Sequence, residues 1–329
     1  MLSSMNLLKT GGRSLLTAQK FVLRAYPYRP YSSQPSPDLK RPITIPDIHS
    51  KYAKGVPITM CTAYDYITAT WAQRAHSDMI LVGDSLAMTS LGYPSTTTIS
   101  LQEFQYHVKS VCRSQGTSLI VADMPFGSFE KSIPYAIGNA IDMMKLDENV
   151  TSVKLEVGLH TKDHYTPQLI KELSARGIPV MGHIGLTPQR AHSLGGFKVQ
   201  ANKDMNDVKE LLETAKLLQS VGCWSMVLEC VPHKVATWIQ SQLRIPVIGI
   251  GAGNGTAGQV LVVSDLLGML GTSVPKFVKQ YESLEEKAVK AIEDYRTGVA
   301  EKTFPENSIH TFKIKEEQWQ DFLKQQEDI

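Results

Sequence analysis

The 329-residue chain has only four cysteines, Cys61, Cys112, Cys223 and Cys230, and no two form a CxxC pair. That spacing excludes a zinc ribbon and argues against a disulfide scaffold. No apolar run approaches the roughly 20 residues of a membrane helix; the longest, such as Ile245 to Ala252, are strand-sized. The glycine run 249–255 is not followed by Gly-Lys-Ser/Thr, so it is no Walker loop, and it comes too late in the chain for a Rossmann opening. Aromatics are scarce at 8%, yet hydrophobic residues make up 42%, enough to fill a core and to exclude wholesale disorder.

Acids are missing from residues 1–37, which hold five basic residues: Lys9, Arg13, Lys20, Arg24 and Arg29. Leucines and other apolar residues alternate with these charges, so a basic amphipathic helix is available. The segment therefore reads as a transit peptide for the mitochondrial matrix. Subtracting it leaves 29 basic against 32 acidic residues, a net of −3. A body of that sign offers no bulk attraction to nucleic acid.

Beyond the leader, eight short apolar runs alternate with helical patterns. The runs are 58–63, 79–82, 119–122, 153–157, 179–184, 226–230, 246–250 and 260–263. They are too continuously apolar for half-exposed strands and suit a buried parallel sheet. Between them, Leu101, Phe104, Val108, Val111 and Cys112 share one helical face, as do Ile137, Ala140, Ile141 and Met144. Thr166-Pro167 and Thr187-Pro188 read as an N-cap followed by proline at the first helical position. Eight such units predict a (β/α)8 TIM barrel over 38–275. Only nine residues separate Ile250 from Val260, close to the limit for a parallel crossover, so pattern alone also allows a doubly wound sheet. Residues 276–329 are charged and helical, and read as an extension packing on the barrel or on a neighbouring subunit.

Polar residues collect where the strands end: Gly83-Asp84-Ser85, Asp123, Lys154 and Glu156, His183, and Glu229. In a parallel barrel those ends meet at one face. Each residue has an ordinary structural explanation. Asp84 makes a good helix cap, Lys154 and Glu156 can pair with one another, and His183 can be a hydrogen-bonded core residue. Taken together, two acids on adjacent strands at one level repel unless a cation lies between them. Oxygen ligands without paired His or Cys point to Mg²⁺ rather than Zn²⁺. Lys154 suits a substrate carboxylate, and a carboxylate ending an apolar run, as Glu229 does, suits a general base.

Eight ordered strings carry a resemblance: ITMCTAYDY (58–66), LVGDSLAMTSLGYPST (81–96), ADMPFGS (122–128), VKLE (153–156), VMGHIGLTPQ (180–189), GGFKVQ (195–200), MVLECVP (226–232) and PVIGIGAGNGTAGQVLV (246–262). The chain resembles the ketopantoate hydroxymethyltransferase family over about residues 42–312. The resemblance implies a barrel of the phosphoenolpyruvate-mutase/isocitrate-lyase type, assembled as a homodecamer. It implies hydroxymethyl transfer from 5,10-methylenetetrahydrofolate to 3-methyl-2-oxobutanoate through a Mg²⁺-stabilised enolate, the first step toward pantothenate and coenzyme A. By motif, Asp84 and Asp123 correspond to Mg²⁺ ligands, with Glu156 reaching the metal through water. Ser85 and Lys154 correspond to groups on the oxo-acid carboxylate, Glu229 to the base, and His183 to a pocket-lining residue. Two alternatives keep the fold. A Mg²⁺-dependent C–C lyase of the isocitrate-lyase type usually carries a KKCGH-like string, which is absent here. An inactive scaffold barrel would have lost a metal acid or the base.

Overall fold

The computed structural model describes residues 41–271 and 274–327; the leader read as a transit peptide lies outside the described residues. Eight strands run β1 (Ile58–Thr62), β2 (Met79–Val82), β3 (Leu119–Asp123), β4 (Val150–Glu156), β5 (Val180–Gly185), β6 (Ser225–Glu229), β7 (Val247–Ile250) and β8 (Gly258–Leu261). Every neighbouring pair is parallel, and β8 pairs with β1, closing the barrel. The doubly wound alternative is thereby excluded.

Strand alternation divides the core in two. Ile80, Val82, Ile120, Ala122, Val153, Leu155 and Leu228 face outward into the layer shared with the helices. Met60, Met79, Leu81, Leu119, Val121, Met181, Val227 and Ile248 face inward and fill the barrel's lower layers. Ile48, from the helix Ile45–Ala53, joins the inner cluster and closes the amino-terminal end. There His49 Nε2 lies 2.8 Å from the Trp224 carbonyl, and Trp224 Nε1 donates to Ser152 Oγ at 2.8 Å. The buried indole is thus satisfied, as a polar atom in an apolar plug must be.

Two local expectations need correction. Thr166 is no N-cap: the helix starts at Tyr165, and the Asp163 carboxylate two residues further back accepts the Thr166 N–H at 2.9 Å. The short crossover after β7 holds no helix at all. Residues 251–257 bridge to β8 as a tight loop, with Gly251 and Gly253 at φ of 60° and 78°. Residues with a Cβ rarely adopt that conformation, which explains the glycine run without a phosphate.

The carboxyl-terminal segment forms helices Leu284–Ala300 and Glu316–Glu327. Backbone bonds from Tyr281, Leu284 and Glu285 to carbonyls of Leu266, Leu267 and Gly268 anchor its start. No residue of the first helix is buried, and Val289, Ile292, Tyr295 and Val299 stand exposed along it. All four cysteines are free. No described helix is long and apolar enough to cross a membrane.

Candidate active site

The inward positions change character at the carboxyl ends of the strands. Above Leu119 and Val121, β3 ends in Asp123, whose register partner on β4 is Lys154. Two residues on, Glu156 pairs in register with His183 of β5. Gly185 then pairs with Glu229, the last residue of β6. Period-two alternation therefore sets Asp123, Lys154, Glu156, His183 and Glu229 on the inner face, directly above an apolar floor.

These side chains form one connected cluster. Lys154 Nζ lies 2.8 Å from Asp123 Oδ1 and 3.2 Å from His183 Nδ1. Glu156 Oε1 lies 3.5 Å from His183 Nδ1, and Glu229 Oε2 lies 3.2 Å from His183 Nε2. The Asp84 N–H donates to Asp123 Oδ2 at 2.9 Å. Lys154 thus pairs with Asp123 and not with Glu156. Asp84 does not act as a side-chain cap either: the N-cap position of the short helix behind it, Leu86–Thr89, is Ser85, and no side chain caps it. Ser85 is half-buried, and its carbonyl takes the N–H of Met88 and of Thr89.

Gln189 is the member that sequence reasoning missed. Its Nε2 donates to Asp84 Oδ2 at 2.8 Å and to the Met124 carbonyl at 3.0 Å, while its N–H donates to Glu156 Oε2 at 2.9 Å. One residue thereby positions two of the three acids assigned to the metal. The signal was present in the TPQ that closes the fifth string: Pro188 begins a 3-10 turn that carries Gln189 back over the barrel mouth.

The electrostatics follow from burial. Four carboxylates, Asp84, Asp123, Glu156 and Glu229, face two basic groups, Lys154 and His183. Burial and the neighbouring Asp123 and Glu156 raise the Asp84 pKa well above the ordinary carboxylate range. Burial pulls the Lys154 pKa down, but Asp123, Glu156 and Asp84 together outweigh it and raise the value. For His183, burial and Lys154 act downward while Glu156 and Glu229 act upward, and the carboxylates win, at about 9. With both bases charged, the cluster carries a net −2 once all four carboxylates are ionised, Asp84 being the last to release its proton.

That excess suits a divalent cation, and the donor set agrees. Asp123 Oδ1 is fully buried yet has no well-angled hydrogen bond, despite its 2.8 Å approach to Lys154. Such a group needs a further partner. Among the described residues no three His, Cys, Asp or Glu side chains converge as a complete cage. Mg²⁺ fits that arrangement, since it is commonly held by one or two carboxylates, with water and substrate oxygens completing an octahedron.

Active sites of parallel barrels sit at this end of the strands, and barrel and cluster together define a barrel enzyme. Solved structures with the same fold include phosphonopyruvate hydrolase in complex with oxalate and Mg²⁺ (TM-score 0.53, 10% identity, 87% of this chain and 95% of that one). Another is 2,3-dimethylmalate lyase, a member of the PEP mutase/isocitrate lyase superfamily (TM-score 0.51, 12% identity, 82% and 91%). At such identity they speak for fold alone.

Sequence comparison is more specific. The ketopantoate hydroxymethyltransferase family model matches residues 42–307. The chain is 61% identical to 3-methyl-2-oxobutanoate hydroxymethyltransferase of Saccharomyces cerevisiae, over 85% of this chain and 90% of that protein. It is 42% identical to the Emericella nidulans enzyme of the same name, over 87% and 80%. The chain belongs to the ketopantoate hydroxymethyltransferase family and is a transferase. The lyase and scaffold readings give way to that assignment.

Proposed function

We propose that this chain transfers a hydroxymethyl group from 5,10-methylenetetrahydrofolate to 3-methyl-2-oxobutanoate, giving 2-dehydropantoate on the route to pantothenate. One observation carries the proposal: six ionisable residues at or just past the ends of strands β2 to β6 gather at the barrel mouth, with Asp84 held through Gln189 and Glu229 beside His183.

Asp84 and Asp123 would hold Mg²⁺, with Glu156 reaching it through water. A bound Mg²⁺ acts as a Lewis acid on the 2-oxo group and acidifies the proton at C3. Lys154, with the chain around Ser85, neutralises and orients the oxo-acid carboxylate, which confines the substrate to a reactive pose. Glu229 removes the C3 proton, and its exposure, at 16%, leaves it open to the substrate while the other acids are sealed. His183 Nε2 stands 3.2 Å from Glu229 Oε2, a charge partner without a well-angled hydrogen bond. The C3 carbanion then attacks the methylene carbon of the folate, a co-substrate consumed in the reaction. The bonds from that carbon to N5 and N10 break, water supplies the hydroxyl oxygen of the product, and tetrahydrofolate leaves with the proton balance restored by that water and the proton taken from C3.

The test is deuterium exchange at C3 of 3-methyl-2-oxobutanoate, followed by NMR with Mg²⁺ and with or without tetrahydrofolate. Exchange is expected in the wild type. Glu229→Gln is expected to abolish it while oxo-acid binding persists. Normal exchange in Glu229→Gln would remove Glu229 from the role of base.

Two further parts belong to the same reading. Residues 1–37 direct the chain to the mitochondrial matrix, supported by their basic, acid-free composition. The carboxyl-terminal extension packs on a neighbouring subunit of a homodecamer. Support comes from Val289, Ile292, Tyr295 and Val299, which recur at helical spacing and stand exposed in the single chain.

A further inference from the structure

A cavity of about 450 Å³ lies between the loops that follow β4 and β5 and the helix Met205–Ser220. Gly158, Lys162, Thr187, Arg190, Gln200 and Asp207 contribute to its walls. Two backbone bonds tie the loop after β5, which forms one of those walls, to the end of β6. The Leu186 N–H donates to the Glu229 carbonyl at 2.9 Å, and the Gln200 N–H donates to the Cys230 carbonyl at 2.9 Å. Gln200 ends the GGFKVQ string, a motif to which the chemistry above gives no part.

Arg190 is held in place from behind. Its Nη2 donates to Asp163 Oδ2 at 2.7 Å and to Thr166 Oγ1 at 3.3 Å. Asp163 is itself buried and accepts the N–H of Gly158 and of Thr166, both at 2.9 Å. A Cβ at position 158 would come within 3.0 Å of Arg190 Nη1, so glycine makes room for the guanidinium. Nη1 and Nε of Arg190 have no hydrogen-bond partner among the described residues. Lys162 stands exposed on the same cavity and makes no ion pair among them. Asp163 and Asp207 balance the two positive charges. Selection here therefore rests on a pre-oriented fork and a nearby ammonium, donors matched to carboxylates, rather than on a net field.

We propose that this cavity receives the glutamyl end of the folate co-substrate, with Arg190 and Lys162 donating to its carboxylates. The inference rests on the folate reading above. It places the ligand's acidic end outside the barrel wall and leaves its pterin end to reach toward Glu229.

The test compares binding of tetrahydrofolate and tetrahydropteroate, which lacks the glutamyl group, to the full chain with Mg²⁺ and oxo-acid present. Calorimetry of wild type is expected to show tighter binding of tetrahydrofolate. Lys162→Ala and Arg190→Lys are each expected to reduce that preference by about fivefold, the upper range for a partly exposed ion pair. The affinity for tetrahydropteroate should stay in place, which a merely structural role would not predict. Four results would overturn the inference: no preference in wild type, an unchanged preference in both variants, equal weakening of both ligands, or a loss of oxo-acid affinity instead. C3 exchange without folate separates the two levels. If exchange proceeds but wild type shows no preference, this inference alone fails. If exchange and pteridine binding are both absent, the functional reading fails with it.

Discussion

Lys154→Met keeps most of the side-chain stem and deletes one charge from the barrel interior. Lys154 and Asp123 are both almost completely buried, 2.8 Å apart. At an effective dielectric of about 20, that separation corresponds to about 6 kcal/mol of attraction. Relief from burying the ammonium returns part of it, so the expected net loss is about 3–5 kcal/mol, usual for removing one partner of a buried pair. For a chain of this length that is about 4–7 °C in thermal midpoint. The loss should depend on pH. Asp84 already has a raised pKa, and Lys154 is one of the groups that restrain it. Without Lys154 it rises further, so the folded state keeps a proton that the unfolded chain has released. Stability then falls as pH rises from about 4 through the folded-state pKa. The deficit should accordingly be larger at pH 8 than at pH 5, measured by thermal unfolding without Mg²⁺ at fixed protein concentration. Adding Asp123→Asn should recover part of the loss, since it removes the orphaned charge. A variant as stable as wild type at pH 8, or a deficit that grows toward pH 5, would refute the reasoning.

Three other outcomes follow from the same geometry. Gln189→Ala removes the donor shared by Asp84 and Met124, and Mg²⁺ affinity by calorimetry should fall about tenfold, as for loss of a group that orients a metal ligand; unchanged affinity would show that Gln189 does not orient Asp84. Because the Asp84 carboxyl is held protonated above the ordinary range, Mg²⁺ must displace that proton, and affinity should increase with pH up to the raised pKa; a flat pH profile would contradict this. Gly185→Ala should lower kcat while leaving Mg²⁺ binding in place. A Cβ there would sit 2.3 Å from the Glu229 carbonyl oxygen at a φ of 92°, so the backbone beneath the base must move; a fully active variant would mean that Glu229 tolerates that shift.

The candidate site was largely legible before any coordinates. Buried parallel strands must be apolar on both faces, so a charged residue at a strand's carboxyl end stands out against its own strand. That contrast marked Asp123, Lys154, Glu156, His183 and Glu229. What it left open was pairing. Lys154 is two residues from Glu156 along the chain, and its ion pair is instead with Asp123 on the next strand, because the register sets those two side by side. Gln189 stayed invisible because an amide on a turn has no periodic signature. Its importance comes entirely from where the loop after β5 folds back. The displaced start of the helix at Tyr165 has the same origin: threonine followed by proline is a good local cap, but the carboxylate of buried Asp163, three residues before Thr166, accepts the N–H there.

Composition, continuously apolar runs and ordered motifs determined the alternating strand–helix units, the family and which residues carry charge at the strand ends. Those signals are local, since each strand must bury its own side chains whatever its partners are. Tertiary structure alone decided which acid meets which base, and which loops enclose the cavity beside Arg190. Those are properties of closure. In the closed barrel Asp84 and Gln189, 105 positions apart in the chain, come within hydrogen-bonding distance.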